Sequence, residues 1–232
     1  MPTAPMSSQE NTSPSTAVRV VLRPIGSPLT VGLSGLGIAS LVESGFALGW
    51  VAAGEAREVG AILIAVPFVL QLLACIFSYL ARDGAAGAAV GVLSTTWLAL
   101  GTVHLIADSR ARSGALGLLL VASGCALAVS ASSVLRANRL AGAVFMLAAL
   151  RFALAGVYEL GAGGPWNDVA AIVGLAISGA VAYAVLAFEL EGQQRRPVLP
   201  TFRHGRGRVQ DGAAPGGEFD ALVREPGVRQ TS

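Results

Sequence analysis

The sequence predicts an all-α integral membrane protein with six transmembrane helices per protomer and both termini in the cytoplasm. Three observations lead to this fold class. Of the 232 residues, 53% are hydrophobic and only 13% are charged, whereas soluble domains carry about 25% charged residues. The apolar residues are gathered into six long stretches with short charged or glycine-rich segments between them. Arginine stands at every Lys or Arg position and is concentrated on one side of these stretches.

Each apolar stretch is long enough to cross a membrane, because a helix of about 20 residues spans a hydrocarbon core of about 30 Å. Backbone groups inside hydrocarbon must bond internally, so the stretches are predicted to be helices. The alternation of apolar and polar residues that a β-barrel requires is not visible. In chain order the stretches are Thr30–Ala53, Val59–Ala81, Ala86–Ala107, Ser113–Leu135, Asn138–Leu160 and Trp166–Leu190.

Charged residues mark the points where the chain leaves the membrane. Arg82 and Asp83 follow the second stretch, Arg112 precedes the fourth, and Arg136 and Arg139 flank the boundary between the fourth and fifth. With six helices both termini share a side, and that side carries most of the arginines. The positive-inside rule therefore places both termini in the cytoplasm and predicts a multi-pass plasma-membrane protein surrounded by lipid. The net charge of +2 does not indicate a nucleic-acid partner.

The domain organisation follows from composition. Residues 1–26 are rich in Ser, Thr and Pro, and residues 192–232 are rich in Gly, Pro and Arg with few large apolar groups. Such segments do not bury enough apolar surface to fold, so both are predicted to be disordered cytoplasmic tails. The six-helix transmembrane domain occupies residues 27–191.

Enzyme chemistry is not indicated. The sequence has no phosphate-binding loop, no nucleophile elbow and no metal-ligand spacing, so no enzyme activity, cofactor or metal is predicted. Cys75 and Cys125 lie inside apolar stretches and are interpreted as small buried hydrophobes.

Two charges inside the stretches are the main functional candidates, because a charge at the bilayer centre costs at least about 2.5 kcal/mol. Glu43 in the first helix and Arg151 in the fifth are predicted to lie at the same depth, where an ion pair would join them. Three interpretations remain open. The pair is structural, or Arg151 binds a crossing anion with Glu43 controlling its availability, or a protonated Glu43 carries a proton.

Further polar and aromatic side chains inside the stretches are predicted to line a substrate path with this pair. Each polar group alone is better explained by helix packing, since hydroxyl and amide groups often bond within or between helices, and only together do they indicate a path. His104, near the end of the third helix, is predicted to be an interfacial residue rather than a proton relay. The path residues are Gln71, Ser94, Thr95 and Trp97.

The first helix resembles the opening of the acetate uptake transporter family, also called the succinate–acetate permease family. The segment from Ser27 to Leu36 matches the hallmark of that family at Pro28, Gly32, Leu33 and Gly35. Gln71 and Trp97 also fall where family members carry Gln and Trp, with the same length between them. The sequence is thus similar to that family over about residues 27–200.

The resemblance implies a six-helix protomer with its own pore, assembled as a hexameric ring, that moves acetate or related small carboxylates. Members act as proton-coupled permeases or as anion channels, so a proton is a candidate second partner. Their pore narrows at an apolar constriction, and the matching positions here are Leu36, Leu93 and Ala148.

Three hypotheses follow from these observations. The first is a transporter or channel for acetate-like monocarboxylates. The second keeps the fold but passes another small weak acid or a neutral solute such as ammonia. Two features motivate it: Leu36 and Leu93 stand where the resemblance implies aromatic pore residues, and Ser94, Thr95 and Thr96 form a run of hydroxyl groups. The third is a membrane scaffold that transports nothing and binds partners through its C-terminal tail.

Overall fold

The chain forms an all-α bundle of six long helices. The computed structural model describes residues 27–107, 112–194 and 199–200. The predicted N-terminal tail and most of the predicted C-terminal tail lie outside these residues. The helices are α1 Leu29–Ala47, α2 Ala53–Leu80, α3 Gly84–Ile106, α4 Gly114–Ala137, α5 Arg139–Glu159 and α6 Pro165–Gln194. All six are long and apolar enough to cross a membrane, so the predicted all-α fold with six membrane-spanning helices is confirmed.

Helix α1 ends six residues before its predicted boundary. Gly49 adopts a left-handed backbone conformation with φ of +75°, and the amides of Gly49 and Trp50 donate back to the carbonyls of Phe46 and Gly45. This pattern is a Schellman motif, which satisfies the last carbonyls of a helix. Hydropathy alone does not detect it, because the residues after the cap are also apolar.

Helix α2 is irregular along its length. It opens with a 3₁₀ turn over Ala53–Glu55 and contains a π-helical turn over Ile64–Phe68 that includes Pro67. Proline has no backbone N–H to donate and its ring crowds the preceding turn, so a wider turn absorbs the misfit. The helix returns to α geometry from Val69 to Leu80.

The helices are arranged as a ring in sequence order. Each helix packs against the helices before and after it in the chain, and α6 closes the ring by packing along α1. The interior is filled by large side chains that are fully buried, including Leu33, Leu63, Trp97, Phe145 and Phe152. The ring therefore surrounds a packed interior in which only a few polar groups are enclosed.

Two pairs of neighbouring helices touch backbone to backbone. A Cβ added at Gly60 on α2 would lie 2.5 Å from the carbonyl oxygen of Gly101 on α3, and the reverse contact would be 2.7 Å. Gly117 on α4 and Gly156 on α5 meet in the same way, at 3.0 and 2.8 Å. Small residues permit such approaches in lipid, where packing rather than water exclusion joins helices.

We expect Gly101→Ala to destabilise the bundle by about 1–3 kcal/mol, because the added methyl would overpack the crossing of α2 and α3. Gly84→Ala on the same helix is the matched control, since its nearest neighbour is Tyr79 Cε1 at 3.9 Å. Unfolding of both variants in detergent micelles measures the difference. Equal stability of the two variants would contradict the close crossing.

Candidate functional site

The ends of five helices are tied together at the end of the bundle where α1 finishes, which we call the distal end. Arg112, before α4, donates through Nη1 to the carbonyl of Ala162 at 2.7 Å. The Ser113 amide donates to Glu159 Oε2 at 2.7 Å, and Asn167 on α6 donates to the Ala47 carbonyl at 3.4 Å. These bonds join α1, α4, α5 and α6, and the candidate site described next adds α3.

Glu43 bonds with His104 at the distal end. Both carboxylate oxygens lie 3.2 Å from His104 Nε2, and the two side chains are 14% and 18% exposed. The ring of Phe46 meets the imidazole edge-on, with 5.3 Å between centroids. His104 was expected at the membrane interface. It does lie close to the end of α3, but its ring faces Glu43 inside the bundle.

Arg151 is buried in the middle of α5, about two turns before the end of that helix. The residue is only 5% exposed. Its guanidinium carbon lies 5.3 Å from the centroid of the Trp97 ring, and that ring packs edge-on against Phe152 at 5.2 Å. An aromatic face stabilises a cation electrostatically while leaving the N–H groups at its edge free to donate.

Glu43 lies about one turn before the end of α1 at Ala47, and the ion pair predicted between it and Arg151 is not formed. No ion pair within 4.0 Å joins these two described side chains. Glu43 and Arg151 nevertheless line the same cavity, which has a volume of about 30 Å³. That volume holds about one water molecule. The two charges are therefore neighbours across a small polar cavity.

Several buried polar atoms in the interior have no hydrogen-bond partner among the described residues. Most are donors on helices that face the ring interior: Ser40 Oγ, Ser44 Oγ, Trp97 Nε1 and Arg151 Nε, with Gln71 Oε1 as an acceptor. Leaving such a group unpaired costs about 1–3 kcal/mol each, and native interiors contain few of them. Of these atoms, Ser44 Oγ and Trp97 Nε1 belong to side chains packed near Arg151.

Gly174 on α6 makes room for the Arg151 side chain. A Cβ at this position would collide with Ser44 Oγ and would lie 2.6 Å from Arg151 Nε. The guanidinium stem therefore passes over a glycine, between α1 and α6. A glycine inside a membrane helix is typical of close helix packing, but the sequence does not show that the Arg151 side chain fills the space beside Gly174.

Two of the other predicted path residues are held by bonds between helices. Gln71 on α2 donates to the Gly32 carbonyl at 3.2 Å, and Ser94 on α3 donates to the Phe68 carbonyl at 3.0 Å beside the π-helical turn. Both are buried. Their polar groups join α1, α2 and α3 rather than face the cavity at Arg151.

Thr95 does not line the predicted substrate path. It is exposed on the outer surface of the described bundle, and its hydroxyl donates to the carbonyls of Gly91 and Val92 in its own helix. Successive residues of a helix point about 100° apart. Thr96 and Trp97 therefore share the inward arc with Ser94, while Thr95 lies on the opposite side.

The predicted constriction and hallmark residues all contribute to packing. Leu36 and Leu93 are fully buried and Ala148 is 1% exposed, so these three belong to the bundle core. Gly32 and Gly35 let α1 approach its neighbours, since a Cβ would lie 2.9 Å from Val90 Cγ1 and 3.0 Å from Gln71 Cγ respectively. Leu33 is fully buried, and Pro28 precedes the first turn of α1.

A second, larger cavity lies on the flank of the bundle. Its volume is about 440 Å³, and it is open between α1 and the first half of α2. The lining is mainly apolar and includes Leu41, Val59, Ile62 and the 65% exposed Trp50. It contains none of the buried polar atoms around Arg151 and is separate from the candidate site.

No protein-family model and no curated protein matches the sequence. Among solved structures the chain is similar to the bacterial acetate channel SatP, with a TM-score of 0.67 and 21% sequence identity. The match covers 77% of this chain and 99% of that chain. At this identity the similarity is one of fold, and it extends over all six helices.

We expect Gly174→Ala to displace the Arg151 side chain and to lower the stability of the bundle by about 1–3 kcal/mol through overpacking. Gly179→Ala on the same helix is the control, because a Cβ there meets nothing within 4 Å. Unfolding in detergent gives the stability. Quenching of Trp97 fluorescence, compared in a background without Trp50 and Trp166, reports the loss of the guanidinium from the ring. An unchanged Trp97 signal would contradict the position assigned to Arg151.

Proposed function

We propose that this protein is a membrane channel or transporter for small carboxylate anions of the acetate type, and that Arg151 binds the anion in transit. The observation that carries the proposal is a buried arginine with an unpaired Nε, beside a cavity of about 30 Å³ in the interior of a membrane bundle. The fold that this chain shares with a bacterial acetate channel supports it.

The charge at Arg151 favours an anion. A guanidinium does not lose its proton in proteins, so its burial leaves a permanent positive charge in the interior. Glu43 is the neighbouring carboxylate, but it is bonded to His104. An anion at the cavity would neutralise Arg151 and accept hydrogen bonds from its planar fork, the arrangement for which arginine is best suited.

The size and lining of the cavity favour a small monocarboxylate. A volume of about 30 Å³ has no room for a nucleotide or a sugar, and even acetate requires a modest outward movement of the lining. Apolar groups from Leu100, Leu120 and Phe152 line part of the cavity, and the amide of Asn167 lines another part. A carboxylate with a methyl or short alkyl group matches this combination of a cation, an amide and hydrocarbon.

In this proposal the passage is closed by packed hydrocarbon at the predicted constriction. Leu36, Leu93 and Ala148 lie in the core with no exposure above 1%, which agrees with their proposed role as a constriction. Conduction then requires these side chains to part. An ion must also be bound weakly enough to leave, so a single arginine is better suited to transit than a cluster would be.

The remaining parts of the proposal concern the assembly and its setting. We propose a cytoplasmic location for both termini from the arginine distribution, a plasma-membrane location, and a hexamer of protomers that each carry their own path. Proton coupling of transport is part of the same proposal. Under the positive-inside assignment the distal end, with Glu43 and His104, faces away from the cytoplasm.

We expect Arg151→Gln to lower acetate flux at least about tenfold, because a hydrogen bond to a charged group contributes about 1.5–3 kcal/mol. Flux is measured as exchange of labelled acetate in proteoliposomes at about pH 7.5, where the acid is almost entirely ionised. Arg57→Gln removes an exposed arginine near the start of α2 and is the matched control, for which unchanged flux is expected. Equal flux in both variants would remove Arg151 from the mechanism.

Competition for labelled acetate exchange distinguishes acetate-like substrates from other solutes. Formate, acetate and propionate are expected to inhibit labelled acetate exchange, whereas succinate, with two charges and a longer chain, inhibits less. Uptake of methylammonium without any acetate exchange would favour a neutral-solute path. A folded protein that moves none of these solutes would instead support the scaffold hypothesis.

A further inference from the structure

A second ionisable pair lies between Arg151 and the distal end. Glu43 and His104 are each partly exposed, whereas Arg151 is buried. Glu43 lies next to both His104 and the Arg151 cavity. Its carboxylate bonds with His104, and its side chain lines the cavity that Arg151 also lines. The protein therefore contains its own carboxylate next to the site proposed for a substrate carboxylate.

We propose that Glu43 and His104 form a proton-binding site, and that the proton decides whether Glu43 or a substrate anion occupies the Arg151 cavity. This inference rests on the proposed function for the role of Arg151. It adds a regulator of that site, made of residues on α1 and α3 that have no part in binding the anion itself.

The switch depends on the charge of the imidazole. Histidine changes charge near physiological pH, and an imidazolium bound to a carboxylate forms a charge-assisted hydrogen bond of about twice the strength of a neutral one. With the proton bound, His104 holds both oxygens of Glu43 away from Arg151. Without it, the permanently charged guanidinium becomes the stronger partner for Glu43.

The shared cavity lies next to both possible partners of Glu43, and it is small enough that only one carboxylate occupies it at a time. The proposal requires a rotation of the Glu43 side chain that carries its carboxylate toward the guanidinium, across a shared cavity with the volume of about one water molecule. Once there, Glu43 fills the space that a substrate carboxylate would use. The two carboxylates therefore compete, one tethered to α1 and the other arriving from the membrane surface.

Among the residues that the structure describes, the other groups packed around the pair do not provide a competing switch. On α5, Glu159 is the second carboxylate near His104, and it is held by the Ser113 amide at 2.7 Å. On α6, Asn167 is a neutral amide that bonds with the Ala47 carbonyl. On α2, Gly60 packs against the Cβ of His104, and on α4 Leu120 lines the cavity. Glu43 is thus the movable charge of this cluster.

The proposal predicts the direction of the pH response. Acidification at the distal end places a proton on the pair, secures Glu43 on His104 and frees Arg151 for a substrate anion. Alkaline conditions release Glu43 onto Arg151 and close the site. Anion conductance is expected to increase by about tenfold as the pH falls through the range in which histidine titrates.

Three variants of the full chain test this by epistasis. Acetate current is recorded in planar bilayers from about pH 8 to about pH 5.5, because current reports the anion and not the neutral acid. His104→Gln is expected to remain in the low-current state at every pH, and Glu43→Gln in the high-current state. The double variant Glu43→Gln with His104→Gln is expected to regain high, pH-independent current. Glu58→Gln removes an exposed carboxylate of α2 and is expected to keep the wild-type profile.

Low current in the double variant would overturn the proposal, since His104 would then act without Glu43. A wild-type pH profile in Glu43→Gln would also overturn it. If the wild type carries no anion current at all, the proposed function fails. Thermal unfolding of the wild type, the two single variants and the double variant then tests the inference separately. Non-additive losses of stability that grow on acidification would support the proton-binding pair, and additive losses would overturn it.

Discussion

The structure depends on the burial of one permanent charge. A guanidinium inside a membrane bundle is costly, and the surroundings of Arg151 reduce that cost from several directions. The Trp97 face lies against the cation, Gly174 leaves a gap for its stem, and Glu43 supplies a negative charge across a small cavity. None of these neighbours completes the hydrogen bonds of the guanidinium. The protein thereby holds a buried cation whose Nε has no hydrogen-bond partner among the described residues.

The ring of helices explains how these neighbours are brought together. Trp97, Arg151, Gly174 and Glu43 come from α3, α5, α6 and α1, and each is placed by a helix that packs closely on the next in the chain. Backbone contacts at Gly60 with Gly101 and at Gly117 with Gly156 fix the helices near the distal end. A longer side chain at such a crossing would separate two walls of the site.

Much of the fold could be predicted from the sequence, because a membrane-spanning helix is recognised from the length of an apolar stretch alone. Local backbone signals were harder, because Gly49 ends α1 inside an apolar run and hydropathy alone placed that boundary six residues too late. The importance of Glu43 and Arg151 was visible from the rarity of charge in the spans. The partner of Glu43 was not, because His104 lies on a different helix, and only the packing of α1 on α3 joins them. For the same reason the sequence could not show that Thr95 faces outward between two inward-facing neighbours.

The central position of Arg151 on α5 has a consequence for how the protein is made. Helices enter the membrane in the order in which they are synthesised, so α5 arrives when α1 and α3 are already in place and α6 is not. Lipid is a poor first environment for a helix with a charge near its middle. Glu43 and Trp97, on the two helices made earlier, offer Arg151 a polar and aromatic surface on arrival, and α6 then closes over it with Gly174. Two of the helices that surround Arg151 thus precede α5 in the chain, and the helix that covers it follows.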